Sequence, residues 1–227
     1  MSREQTDFLY PFLEADERDA DALLADLARS ANTKAADSLR LRTVAVEALD
    51  AQLDEVATAM AEHFAAGGRM FTCGNGGSAT DAAGMAALFC RPPAQIRPAR
   101  PLPARSLVSD ESLLTALSND IGFDVVFARQ IIAHAHAGDI VLGLSTSGNS
   151  ENVIRAFEEA RRRELLTVGL AGYDGGAMGA CKDLQHCLVV RSDSVHRIQE
   201  AQAFVGHDLW ARVQRKLPEQ SPQKDVR

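Results

Sequence analysis

Apolar positions recur at helical spacing through the first third of the chain and in short dense runs after it. From Glu17 to Ala31 the residues Ala20, Leu23, Leu24, Leu27 and Ala28 share one helical face. A second run over 35–66 carries Leu39, Val44, Val46, Leu49, Leu53, Val56, Met60 and Phe64 in a similar rhythm, and Gly67-Gly68 stop it. Together they predict an Ala-rich helical hairpin, which either caps the domain or packs subunits against one another.

From Arg69 the pattern alternates. The runs Arg69–Cys73, Arg105–Val108, Ile140–Leu144, Leu166–Ala171 and His186–Val190 predict strands. Helices are expected over Ala79–Leu88, Ser112–Asn119, Phe123–Ala135, Glu151–Arg163 and Arg197–Lys216. Ile140–Leu144 is apolar throughout, the type of strand buried on both faces of a parallel sheet. Pro92, Pro93, Pro98, Pro101 and Pro103 keep the segment between Arg91 and Arg105 out of helix. Repeated strand–loop–helix units predict an α/β fold, a doubly wound parallel sheet with helices on both faces. The division expected is a helical region over 1–66 that serves oligomerisation, an α/β domain over 67–217 and a frayed tail over 218–227.

Composition narrows the function. The 227 residues hold 24 Lys and Arg against 31 Asp and Glu, a net charge of −7, which argues against a nucleic-acid partner. Aromatics are only 5%, so the core rests on Ala, Leu, Val and Ile. Cys73, Cys90, Cys181 and Cys187 form no Cys-x-x-Cys pair and are expected to be reduced thiols of a cytoplasmic protein. The acidic, mixed N-terminus does not have the pattern of a signal peptide, and no run approaches the ~20 apolar residues of a membrane span.

Two loops at predicted strand ends carry the chemistry. Ser145-Thr146-Ser147-Gly148-Asn149-Ser150 places four hydroxyls between a buried strand and a helix start. Hydroxyls there donate to phosphate oxygens, and the helix N-terminus adds free N–H groups and a favourable dipole. A plain helix cap needs one such residue, not four. Gly74-Asn75-Gly76-Gly77-Ser78 repeats the logic at another strand end. It has no following Gly-Lys-Ser/Thr and no third glycine in register, so nucleotide motifs are disfavoured.

These residues, with Ser118-Asn119-Asp120, Gly172-Tyr173-Asp174-Gly175-Gly176 and Arg197-Ile198-Gln199-Glu200, occur in one order that resembles the sugar isomerase (SIS) domain family, in its phosphoheptose isomerase branch. The resemblance spans about residues 35–215. It implies a flavodoxin-like five-stranded parallel sheet, a homotetramer cored by the leading and trailing helices, and sites at subunit interfaces for a phosphorylated sugar. By the same resemblance Ser78, Ser145, Thr146, Ser147 and Ser150, with the backbone of Gly76 and Gly77, hold the phosphate, and Asn75 and Asp120 contact the sugar or order the pocket. Gln199 and His207 on the last helix are the catalytic candidates, two turns apart on one face.

The resemblance also exposes a departure. Members of this branch carry a His and, one turn later, a Glu on the helix after the Gly-rich loop, which join the Gln and His of the last helix in a set that can hold zinc. Here those positions are Gly84 and Leu88. Two remaining ligands fall short of the usual three, so no zinc or other cofactor is expected. His196 stands where the family commonly has an acid, and Glu200 points about 100° away from Gln199, toward an interface or a neighbouring site. Three functions stay open. The first is an aldose–ketose isomerase of a sedoheptulose 7-phosphate-type substrate. The second is a non-catalytic scaffold or sensor with a protein partner, like the members that associate with the bacterial replication initiator. The third is an isomerase whose site has been rebuilt on His196 or Asp81.

Overall fold

The computed structural model describes residues 20–94 and 99–218, with side chains from residue 23 onward. Arg97 and Pro98 of the proline-rich segment, residues 17–19 of the first predicted helix and the tail after Pro218 lie outside the described residues. Two compact units are present, the first reaching Arg40 and the second running from Leu41.

The helices begin with α1 (Ala20–Ala48) and α2 (Asp50–Ala65). No turn interrupts α1 at 32–34, so the expected hairpin is replaced by one long helix. The segment Ala31–Lys34 contains neither Gly nor Pro, and Thr33 satisfies its hydroxyl on the Arg29 carbonyl (3.0 Å), so nothing there breaks the ladder. The only change of element comes at Leu49, whose backbone stays near-helical and bonded at both ends to Ala45 and Leu53.

Strands and helices then alternate as β1 (Met70–Gly74), α3 (Gly77–Cys90), β2 (Ala104–Ser106), α4 (Glu111–Asp120), a 3-10 turn (Phe123–Val125) and α5 (Val126–His134). They continue as β3 (Ile140–Ser145), α6 (Glu151–Arg162), β4 (Leu166–Gly172), α7 (Gly176–Gly179), β5 (His186–Val190) and α8 (Val195–Lys216). All five strands are parallel, in the order β2-β1-β3-β4-β5. Chain order therefore reverses between β1 and β3, the switch point at which open α/β sheets bind ligands.

Side chains alternate across the sheet with period two. Met70, Ile140, Leu142, Leu144, Val168 and Leu170 face α2, α3 and α8, where Met60, Phe89 and Trp210 are fully buried. Phe71, Cys73 and Val141 face α5 and α6, against Phe127, Val153 and Phe157. With β3 and β4 buried at every position, the carboxyl edge is rigidly placed, and the loops leaving β1, β3 and β4 are delivered side by side.

Candidate functional site

The Ser145–Ser150 loop starts where β3 ends, and its hydroxyls turn toward one another. Ser145 Oγ, buried at the strand end, lies 2.9 Å from Ser150 Oγ and 3.3 Å from Ser147 Oγ. Ser150 is the N-cap residue of α6, yet its side chain makes no cap bond. The hydroxyl is held in a cluster with Ser145 instead, directly before a helix N-terminus. That is an array of donors in a field that favours an anion. Thr146 is half-buried in the same loop, and Ser147 is exposed at its tip.

The loop is fixed from below by the segment after β4. Met178 N–H donates to the Gly148 carbonyl (2.8 Å), and Ala177 N–H donates to Asn149 Oδ1 (2.8 Å). At φ +66°, Gly148 passes so close to Gly175 that a Cβ there would stand 2.2 Å from its carbonyl oxygen. The Gly172–Gly176 motif therefore acts as the platform of the serine loop.

The second loop leaves β1. Gly76 turns it at φ +54°, Gly77 starts α3, and Ser78 is buried in its first turn. Asn75 exchanges two hydrogen bonds with Asn152 of α6: Asn75 Nδ2 donates to Asn152 Oδ1 (2.8 Å) and Asn152 Nδ2 to Asn75 Oδ1 (2.9 Å). This amide pair ties the two candidate loops together across the switch point. Asn152 escapes sequence reading, because a polar residue in a helix's first turn ordinarily faces water, and here it is buried. A largely apolar cavity of about 440 Å³ lies beside Asn75 and Gly76, lined by Val108, Leu114, Phe123 and Phe127.

Gln199 of α8 closes the other side. Its amide lies over Gly77, so close that a Cβ there would displace it. It also hydrogen-bonds Asp81 of α3, and both line a cavity of about 400 Å³ with Arg42, His196, Glu200 and Ala203. Glu200 lines the same cavity as Gln199. It is drawn in by ion pairs with Arg197, one turn before it, and with Arg42 at 3.9 Å. Burial holds the Asp81 carboxyl above the ordinary carboxylate range, against the opposing hydrogen bond from Gln199. His207 continues the Gln199–Ala203 ridge by one more turn, exposed, with its ring 5.3 Å from Trp210.

Not every expected residue joins this group. Asp120 is exposed at the end of α4, where its Oδ1 accepts from Asn119 Nδ2 (2.8 Å), and it lines neither cavity described above. Gly84 is exposed with open space where a side chain would stand, and Leu88 is half-buried hydrocarbon. Neither supplies a ligand atom, and among the described residues no three His, Cys, Asp or Glu stand close enough to hold a metal ion. Gln199 and His207 alone do not fit a catalytic zinc. Burial pushes the Cys73 thiol up to about 12, so its place beside the Gly-rich loop does not make it a nucleophile.

Comparison with known proteins agrees with this arrangement. A family model described as SIS domain matches residues 35–172. The phosphoheptose isomerase of Solidesulfovibrio magneticus is 47% identical over 165 residues, covering 73% of this chain and 78% of that protein. That of Shewanella loihica is 40% identical over 187 residues, 82% of this chain and 94% of the relative. Among solved structures, phosphoheptose isomerase GmhA from Neisseria gonorrhoeae superposes with a TM-score of 0.75 at 36% identity, over 82% of this chain and 98% of that one.

Proposed function

The chain belongs to the SIS domain family, in its phosphoheptose isomerase branch, and we propose that the carboxyl edge of its sheet is the active site. The protein is an aldose–ketose isomerase of a phosphorylated sugar, and the substrate class proposed is sedoheptulose 7-phosphate and its close relatives. Ser145, Thr146, Ser147 and Ser150, with Ser78 and the backbone of Gly76 and Gly77, hold the phosphate between the N-termini of α6 and α3. Asn75 holds the two loops in register through Asn152. Gln199 orients the sugar, and His207 exchanges protons with its oxygens as the carbonyl moves between neighbouring carbons through an enediol. Asp120, at the end of α4, is proposed to contact the sugar or order the pocket.

One observation carries this reading. The Ser150 hydroxyl at a helix start is withheld from capping and gathered with Ser145 and Ser147. The test is conversion of sedoheptulose 7-phosphate followed by NMR. Appearance of the aldose phosphate supports the assignment, and no turnover at high enzyme concentration overturns it.

A second reading, a phosphosugar sensor that engages a protein partner without turnover, is favoured by Gly84 and Leu88, which bring no acid or base where the relatives' pattern has both. Sugar-phosphate binding without conversion would select it. In either case we propose a homotetramer cored by the leading and trailing helices. We also propose a cytoplasmic location; no helix among the described residues is long and apolar enough to cross a membrane.

A further inference from the structure

The isomerase reading leaves one step without a residue: something must take a proton from carbon and return it to the neighbouring carbon. The helix that follows the Gly-rich loop is almost bare of such groups. Over Gly77–Cys90 it carries one carboxylate, Asp81, and otherwise small or apolar residues, hydroxyls and the terminal Cys90 thiol. Asp81 sits one turn beyond Ser78, in the wall of the 400 Å³ cavity, hydrogen-bonded by the same Gln199 amide that lies over Gly77. Gln199 thus spans from the phosphate end of the site to Asp81.

The two acids of this cavity are in opposite states. Glu200 is neutralised by Arg197 and Arg42. Among the described residues Asp81 has no ion-pair partner, and its buried Oδ2 has no hydrogen-bond partner. Buried polar atoms in folded proteins are nearly always satisfied, so an unpartnered carboxylate oxygen in a cavity wall calls for a function. His196 and Arg42 are the other charged or titratable groups facing this cavity.

We infer that Asp81 is the carbon acid/base of the isomerisation, standing in for the carboxylate that Leu88 cannot supply. Asp81 removes the proton from carbon 1 of the bound ketose. The C1–H electron pair forms the C1–C2 double bond, and the carbonyl pair moves to the oxygen on carbon 2, which takes a proton from His207. The enediol oxygen on carbon 1 then returns a proton to His207 and becomes the aldehyde, while the double-bond pair takes the Asp81 proton at carbon 2. Atoms and electrons balance with no oxidant or reductant.

This rests on the isomerase reading, and the experiment separates the two. Wild type, Asp81→Asn and Asp81→Ala are incubated with sedoheptulose 7-phosphate in D2O, and NMR follows deuterium at carbon 1 of recovered ketose and at carbon 2 of the aldose. Wild type is expected to exchange and convert. Both variants are expected to lose exchange and conversion together by about 100-fold or more, with unchanged substrate Kd by calorimetry. Added formate, a carboxylate small enough for the emptied cavity, is expected to restore part of the exchange in Asp81→Ala. A merely structural role would give no such rescue. Wild-type rates in either variant, or lost rates in Asp81→Ala that formate leaves unrestored, overturn the assignment of Asp81. No exchange in wild type overturns the isomerase reading and this inference with it.

Discussion

At the amino edge of the sheet, Asp139 accepts from Arg69 N–H (2.8 Å), Arg69 Nη2 (2.8 Å) and His136 N–H (2.9 Å), while at the carboxyl edge Asp81 keeps a buried oxygen with no partner among the described residues. Around Asp139, Arg69 Nη2 also donates to the His134 carbonyl (2.8 Å), and His63 Nδ1 donates to the Gly138 carbonyl (2.7 Å). Burial alone would raise the Asp139 carboxyl, but Arg69 and the backbone donors outweigh it and hold it below the ordinary range. Asp81 is moved the other way. One edge satisfies its charge and ties α2, β1 and β3 together. The other leaves the Asp81 carboxyl in a cavity wall and gathers the serine hydroxyls with one another before a helix N-terminus. A cavity of about 660 Å³ beside Asp139 therefore does not read as the active site, although it is the larger one. His63, Arg69, His136 and Asp139, which line it, are already bonded to one another or to backbone carbonyls.

The contrast can be broken at several points. Asp139→Asn is expected to cost about 2–3 kcal/mol at neutral pH in urea unfolding, at the low end for a buried pair because Arg69 is 42% exposed. Since the folded carboxyl is lowered, that contribution is present above the unfolded value of ~3.9 and disappears as pH falls through the folded one. The wild type and the variant should therefore converge in acid. Gly148→Ala forces a side chain against the Gly175 carbonyl at a left-handed φ. It should cost about 1–3 kcal/mol of strain, read as lost substrate affinity in calorimetry with a smaller change in melting temperature. Ser147→Ala removes one exposed donor and should weaken sugar-phosphate binding about tenfold without touching stability. Asp81→Asn should raise the melting temperature slightly at neutral pH. Its carboxyl is raised in the folded state, so its charged form opposes folding once pH exceeds the ordinary carboxylate value, and the difference should vanish in acid. Smallest of all, a chelator should leave turnover unchanged, because Gly84 and Leu88 offer no metal ligand.

Much of this edge is legible in the sequence. Ile140–Leu144 reads as a doubly buried strand because nothing polar interrupts it, and the loop that follows reads as an anion site because its hydroxyls outnumber any capping need. The observed strands begin and end within two residues of those expected. Three features were hidden for physical reasons. The unbroken α1 has no Gly or Pro to mark it, and apolar spacing alone does not show whether two helical runs are one. The Gly176–Gly179 turn of helix is built by contacts with Gly148 and Asn149, distant in sequence. Asn152 gains its role only when α6 and the β1 loop meet.

The central claim is tested most directly by a crystal structure of the wild-type protein with sedoheptulose 7-phosphate. The phosphate is expected against the Ser145, Ser147 and Ser150 hydroxyls, with carbons 1 and 2 within about 3 Å of Asp81 and His207. A phosphate bound at the Arg69–Asp139 edge, or one held by the serines with neither Asp81 nor His207 near the reacting carbons, would contradict it.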